Sequence, residues 1–311
     1  MKPARVAWRR VDGVLLLDKP AGMSSNDALQ QARRLYRAAK GGHTGTLDPF
    51  ATGLLPLCFG EATKFAGELL TADKHYLATV CLGMATDSGD ATGRPLQQAP
   101  INVGRAEVEA LLPDFRGEIE QVPPMHSALK RDGKPLYAYA RAGIELERDS
   151  RRVFIHELEL RHWQGEGFEL EVVCSKGTYV RTLAADIGDR LGCGAHLSAL
   201  RRLAIGSFSV AQALTPTDLQ AMSEAERDAC LLPVDALLAD LPVARLGPAD
   251  TRRMLHGQGI DWVAAPGQRY RLYGDDGQFI GLGAIDDDGL LSPRRLVATQ
   301  ADERRRPDTT R

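Results

Sequence analysis

Gly41-Gly42-His43-Thr44-Gly45-Thr46-Leu47-Asp48-Pro49-Phe50-Ala51-Thr52-Gly53 is the stretch on which the reading of this chain turns. Four glycines in thirteen residues allow backbone conformations that other residues avoid, and close approach of a ligand. One carboxylate, Asp48, stands in the middle, fixed by the proline after it. An Asp-Pro turn is the ordinary reading of such a pair; a reactive site is the other. A carboxylate with no partner acid nearby argues against glycosidase-type hydrolysis, which normally needs two. It suits covalent catalysis by an unaided carboxylate.

Before this loop, Val14–Leu17 reads as a strand ended by the turn Asp18-Lys19-Pro20-Ala21-Gly22. Ser24 with Asp27 fits a capping box opening a helix whose apolar face is Ala28, Ala32, Leu35 and Tyr36, stopped at Gly41-Gly42. After it, a short helix is expected over Glu61–Leu70. His75–Leu82 alternates as a strand with Tyr76, Ala78, Val80 and Leu82 on one face. Residues 104–120 read as a helix and its exit. Pro123–Arg152, basic, aromatic and punctuated by Pro and Gly, reads as an insertion. Phe168, Leu170, Val172 and Cys174 alternate as a second strand. A turn at Ser175–Thr178 then feeds a helix over Val180–Leu191, which Gly192 stops. Gly206–Ala211 reads as another strand.

From about residue 247 the texture changes. Asp276-Gly277 and Asp288-Gly289 lie twelve residues apart between the apolar runs Tyr270–Tyr273, Phe279–Ile285 and Leu290–Leu296. Asp-Gly between such runs signals hairpins, so residues 247–311 are expected to form a small β-rich domain with a frayed tail, behind a larger domain spanning 1–246.

The 311 residues suit two domains, and the ordinary composition excludes collagen-like, coiled-coil and disordered classes. Five scattered cysteines without a Cys-x-x-Cys pair suggest reduced thiols. Cys193 and His196 are at most half a metal site. No P-loop, G-x-G-x-x-G or G-x-S-x-G motif occurs. No signal peptide or membrane span is read, so a soluble, cytoplasmic protein is expected. The net charge of −2 hides blocks. Residues 1–47 hold nine Lys/Arg against three Asp, and 123–152 hold seven against four acids. Residues 86–120 and 213–250 are acidic. Such blocks are either ordinary solvated faces or basic surfaces that meet phosphates.

Two further elements carry possible chemistry. Ser175-Lys176-Gly177-Thr178-Tyr179-Val180-Arg181 lies where a strand feeds a helix. Arg181 is either a surface residue or a partner that holds Asp48 ionised and oriented. Tyr179 is either core or a ring for stacking. Tyr76 likewise is a core tyrosine or part of a site.

Taken together, Leu15-Leu16-Leu17-Asp18-Lys19-Pro20, Gly42–Pro49, Thr86-Asp87-Ser88-Gly89-Asp90 and Lys176–Arg181 resemble, in order and spacing, the TruB family of tRNA pseudouridine synthases. The resemblance covers about residues 10–212; the C-terminal part resembles a PUA-type RNA-binding domain more loosely. It implies an α+β fold, with a central mixed β-sheet flanked by helices and a PUA-like C-terminal domain. It implies an isomerase (an intramolecular transferase) that converts uridine 55 in the T-loop of tRNA to pseudouridine. No cofactor, metal or membrane is implied, and a monomer engaging the T-arm is expected.

In that frame Asp48 is the nucleophile, toward C1′ or toward the uracil ring. Tyr76 stacks on the target base, and Tyr179 and Leu200 contact the nucleotide. Arg181 pairs with Asp48, and His43 fills the gap left by the flipped uridine. Lys19 and Lys64 meet phosphates, and the 123–152 insertion, with Tyr137 and Tyr139, closes on the RNA. The competing reading is a non-catalytic RNA-binding scaffold of the same fold, against which a carboxylate placed among phosphates argues.

Overall fold

A computed structural model describes residues 7–298. The expected frayed tail, like the first six residues of the basic N-terminus, lies outside them. The apolar run Val14–Leu17 becomes β1 (Gly13–Lys19), with each of its four residues at most 3% exposed. The capping box forms as read and opens α1 (Ser25–Tyr36): the Asp27 amide donates to Ser24 Oγ at 3.1 Å and the Ser24 amide donates to Asp27 Oδ2 at 3.2 Å. A cap of this kind contributes about 1 kcal/mol. The helix buries Ala28, Ala32 and Tyr36, and also Leu29, while Leu35 is only partly covered.

The helix stops at Arg37, in the left-handed conformation, short of the expected Gly41-Gly42. Those glycines instead lie in a strand, β2 (Gly41–His43), paired with β3 (Thr52–Phe59). A Cβ on Gly41 would sit 3.2 Å from the Phe59 ring, so glycine there serves a close strand packing rather than a helix stop. The expected helix at Glu61–Leu70 is split into a 3-10 turn, Gly60–Lys64, and α2 (Ala66–Thr71).

Next come β4 (Lys74–Leu82), which buries Ala78, Val80 and Leu82 and leaves Tyr76 half-covered, and the ribbon β5 (Met84–Thr86) with β6 (Pro95–Gln98). Then follow α3 (Arg105–Leu111) and β7 (Gly117–Gln121). The basic segment holds the short ribbon β8 (Lys130–Arg131) with β9 (Lys134–Pro135) and one helix, α4 (Leu136–Arg141). β10 (Arg151–Trp163) and β11 (Gly167–Cys174) form a long hairpin leading to α5 (Val180–Arg190). β12 (Ala195–Ile205) follows, then β13 (Phe208–Ser209), only two residues of the expected Gly206–Ala211 strand. α6 (Pro216–Ala221) and α7 (Glu224–Ala229) complete this part.

The main sheet runs β1-β3-β12-β4-β11-β10-β7, with β2 on β3 and β13 on β12. It is mixed because β12 lies parallel to β3 and antiparallel to β4. Alternation along β1 and β3 splits their apolar residues between two cores. Leu15, Leu17, Leu55 and Leu57 join α1 and α5 on one face. Val14, Leu16, Leu54 and Cys58 pack on the other, against Phe65, Leu69, Leu237 and Leu238. Gly53 is required where β3 meets β12: its φ is 102°, and a Cβ would fall 2.3 Å from the Arg202 carbonyl oxygen.

The C-terminal sheet contains β14 (Val243–Arg245), then, after α8 (Pro248–Leu255), β15 (Ile260–Asp261), β16 (Arg269–Tyr273), β17 (Phe279–Ile285) and β18 (Leu290–Leu296). Its order is β14-β16-β17-β18-β15. The two Asp-Gly pairs turn the chain as read, with Gly277 at φ 75° and Gly289 at φ 81°. The sheet starts at Val243, ahead of the change in texture near 247. It also shares a core with the larger part: Phe279 packs edge-on to Phe65 at 5.5 Å, and Leu282 and Val297 join the second core. The architecture is α+β, a mixed sheet flanked by helices with a β-rich C-terminal domain. No helix among the described residues is long and apolar enough to cross a membrane.

Candidate active site

Asp48 sits in the loop between β2 and β3, and the chain on either side of it is pinned. Ser25 at the start of α1 accepts a hydrogen bond from the Leu47 amide at 2.8 Å and donates to the Leu47 carbonyl at 2.9 Å. The Gly22 amide donates to the Pro49 carbonyl at 2.8 Å, and the Ala51 amide donates to the Asp48 carbonyl at 3.1 Å. Leu47 and Ala51 are buried. The carboxylate therefore projects from a fixed turn into a cavity of about 250 Å³.

Arg181, on the first turn of α5, reaches it with Nε 2.9 Å from Asp48 Oδ2. Both of its other nitrogens have partners as well. Nη1 donates to the Ser88 carbonyl at 2.7 Å, and Nη2 donates to the His126 carbonyl at 2.7 Å. Nη1 also lies 3.5 Å from Asp90 Oδ2. Asp90 is held in turn by the Ser88 hydroxyl at 2.9 Å and the Thr92 amide at 3.0 Å. Burial raises the pKa of Asp48; Arg181 opposes this and the Asp90 charge adds to it, leaving a net upward shift.

The cavity walls come from the centre of the sheet. Tyr76 on β4 is flanked by Val172 on β11 and Arg202 on β12. Leu200 on β12 and Tyr179 at the mouth of α5 also line the space. The backbone of Tyr179 is bracketed by the Gln121 side chain: the Tyr179 amide donates to Oε1 at 3.0 Å, and Nε2 donates to the Tyr179 carbonyl at 3.3 Å. Cys174 lines the cavity too, but burial pushes its thiol up to about 12, which makes it an inert wall. Ser127 and Ala128, at the root of the basic segment, close one side.

Asp48, Arg181, Tyr76, Tyr179 and Leu200 are thus brought together. His43 is half-buried on β2 and does not line the cavity, although Gly45 two residues on does. Burial and the Arg202 charge lower the His43 pKa, so the ring is neutral, and its Nδ1 has no partner.

The two lysines stand elsewhere than the sequence reading puts them. Lys19 is fully buried, and its ammonium donates to the carbonyls of Pro20 and Met23 at 2.9 Å and Pro49 at 3.4 Å. Alternation along β1 is the reason: Lys19 shares the inward face of Leu15 and Leu17. Burial brings its pKa down to about 8, against the pull of Asp48. It braces the Asp48 turn instead of presenting a charge to a phosphate. Lys64 lies at the junction with the C-terminal sheet, donating to Glu61 Oε2 at 2.7 Å and to the Leu296 carbonyl at 2.8 Å.

Three site residues escape the sequence reading. Asp90 lies in a quoted motif, but nothing local says that it stands behind Arg181. Lys74 and Arg202 are charged residues on strands, 9% and 1% exposed respectively, and a sequence gives no sign that such groups turn inward.

Family models cover almost the whole chain. The TruB family pseudouridylate synthase N-terminal domain matches residues 33–180. The tRNA pseudouridylate synthase B C-terminal domain matches 181–239, and the pseudouridine synthase II TruB C-terminal domain matches 242–297. The chain is 57% identical over 296 residues to the tRNA pseudouridine synthase B of Azoarcus sp. (strain BH72), covering 95% of this chain and 98% of the relative. It is 54% identical over 291 residues to the protein of the same name from Dechloromonas aromatica (strain RCB), covering 94% and 97%. Among solved structures, a chain of a Cbf5-Nop10-Gar1 complex superposes with a TM-score of 0.70 at 24% identity, over 93% of this chain and 86% of that one. At that identity the likeness is one of fold. Motifs, fold and relatives agree: the chain belongs to the TruB family of pseudouridine synthases.

Proposed function

We propose that this protein isomerises uridine 55 in the T-loop of tRNA to pseudouridine, with Asp48 as the nucleophile. The observation that carries the reading is Asp48 itself: one carboxylate, oriented by Arg181 at 2.9 Å, facing a solvent-open cavity walled by Tyr76, Tyr179 and Leu200. The relatives named tRNA pseudouridine synthase B support tRNA as the substrate. The resemblance of the motifs to the family supports the choice of uridine.

A cavity of this size takes a base only after the nucleotide leaves its stack, so the uridine flips out. Tyr76 stacks on it and Leu200 and Tyr179 contact the nucleotide, while His43, on the adjoining strand, fills the vacated place. Asp48 attacks C1′ or the ring, the C1′–N1 bond breaks, the held uracil rotates, and C5 bonds to C1′. A C5 proton is lost and N1 gains one, so the reaction is a net isomerisation. The segment 123–152, with exposed Lys130, Lys134 and Arg141, closes on the RNA. No resident cofactor enters the scheme.

Asp48→Asn tests this. Turnover is abolished while tRNA affinity stays within about tenfold, or about 1.4 kcal/mol. Pseudouridine formed by the variant at the wild-type rate would overturn the mechanism. A wild-type protein that binds tRNA and forms none would favour a binding scaffold.

A further inference from the structure

Arg202 is a buried guanidinium without a counter-ion. It is 1% exposed and heads the large, fully buried side chains. Nε donates to the Leu54 carbonyl at 2.7 Å and Nη2 donates to the Gly45 carbonyl at 3.0 Å. No carboxylate among the described residues pairs with it. Arg181 differs, because Asp48 and Asp90 both face it. Arg202 also lines the cavity, and it stands directly across from Tyr76 in the sheet.

Removing a charge from water without an opposite charge is strongly destabilising. Such a group therefore suits a site where negative charge appears during the reaction. The cavity's other cations are placed differently. Lys74 spends its protons on the carbonyls of Leu69, Leu70 and Ala72 around the end of α2, where the helix dipole is negative. Lys19 does not line the cavity. The Arg202 charge reaches the surrounding groups: it lowers the pKa of Lys19, His43 and Lys74, and it draws the Tyr76 phenol down against burial.

We infer that Arg202 supplies the positive charge that stabilises the uracil ring as it becomes anionic, while its fork holds Gly45 and Leu54 on either side of the Asp48 turn. This inference rests on the pseudouridine reading. It holds for either point of attack. If Asp48 attacks C1′, the C1′–N1 electron pair leaves with the base, and the charge on N1 spreads to O2 and O4. If Asp48 attacks ring carbon C6, the C5=C6 pair moves toward O4. In both cases the ring carbonyl oxygens gain negative charge, and this is withdrawn once the C1′–C5 bond has formed, the carboxylate has departed and N1 has gained its proton.

The test compares Arg202→Gln and Arg202→Lys with wild type on the full chain. It measures pseudouridine formed under saturating tRNA, tRNA affinity, melting temperature and the pH profile. Arg202→Gln is expected to lose roughly 100-fold or more in kcat, the scale of removing one charge-stabilising donor, with tRNA affinity within about threefold. Arg202→Lys keeps the charge and retains turnover near neutrality. Its activity then falls as pH rises past the range in which buried lysines here lose their proton; Lys19 and Lys74 both do so at about 8. Wild-type arginine stays charged there, so the new alkaline limb belongs to the variant alone.

A merely structural Arg202 would instead give two variants that lose activity in parallel at every pH. That result, or full turnover by Arg202→Gln, overturns the inference. If Arg202→Gln does not fold, the Arg202→Lys profile decides the matter alone. Failure of the pseudouridine reading itself would be visible separately, as wild type forming none.

Discussion

Arg181 Nε lies 2.9 Å from Asp48 Oδ2, and the arginine is almost wholly buried while the aspartate keeps a third of its side chain open to the cavity. The asymmetry matters. The cation is locked by two carbonyls and a second carboxylate, so it cannot follow the aspartate if that group moves. Asp48 is therefore held by an immobile partner and remains free on the side where a substrate arrives.

The same surroundings fix how activity depends on acid. Burial and the neighbouring Asp90 raise the pKa of Asp48. On the proposed mechanism the ionised carboxylate is the attacking form, so kcat/KM is expected to fall on acidification with an apparent pKa above the roughly 3.9 of a free aspartate. Asp90→Asn removes a like charge and shifts that limb to lower pH. A limb at or below 4 in wild type, or an upward shift in the variant, contradicts this electrostatic account.

Asp186 offers a test of stability rather than activity. On α5, burial and Asp189 one turn on raise its pKa to about 6. Its contribution is fully present below the unfolded value near 4 and is lost as pH rises through 6. Asp186→Asn is thus expected to stabilise the fold by about 2 kcal/mol above pH 7 and to change little at pH 4. Denaturant titrations at the two pH values compare the variants.

The C-terminal sheet is tied into the larger part by Leu282 and Phe279 in a shared core and by the ion pair Arg269–Glu68 at 2.7 Å. Leu282→Ala is expected to cost about 2–3 kcal/mol and to lower the melting temperature of the catalytic part as well. Two separate transitions, with only the second domain affected, would show that the parts fold independently.

Salt titration separates the lysines. Lys130 and Lys134 are exposed on the basic segment. Replacing each by alanine should flatten the slope of log K for tRNA against log[salt] by about 0.7–0.9. Lys64→Ala should leave the slope alone and lower stability, because its ammonium already serves Glu61 and Leu296. Tyr76→Leu should cut turnover with the slope unchanged, since stacking releases no counterions. A Lys64→Ala slope that flattens like Lys130→Ala would return that residue to the RNA.

Strong local signals account for what the sequence disclosed. The Ser24/Asp27 cap, the alternation of β4 and β11 and the two Asp-Gly turns each depend on neighbours a few residues apart. β3 is not legible in the sequence because Pro56 interrupts its apolar run, and proline ordinarily demotes a strand. β10 is obscured by a bulge between Ile155 and Glu157, which puts its buried residue Leu158 out of alternation with Val153 and Ile155. β12 was hidden by Arg201 and Arg202 in its middle. The aspartate and its arginine partner could be anticipated as a pair. The inward turn of Lys19, Lys74 and Arg202 could not, because it depends on strands brought together from distant parts of the chain.

The position of β12 between β3 and β4 has a consequence for how the chain is made. This interior strand is among the last of the sheet to be synthesised. A growing chain that has released Asp48 and Tyr76 still lacks the strand that separates them, and until residues 195–205 emerge β3 and β4 have open edges where β12 will pair. The cavity wall is therefore a late, long-range closure, of the kind that folds slowly and leaves unpaired strands exposed in the meantime.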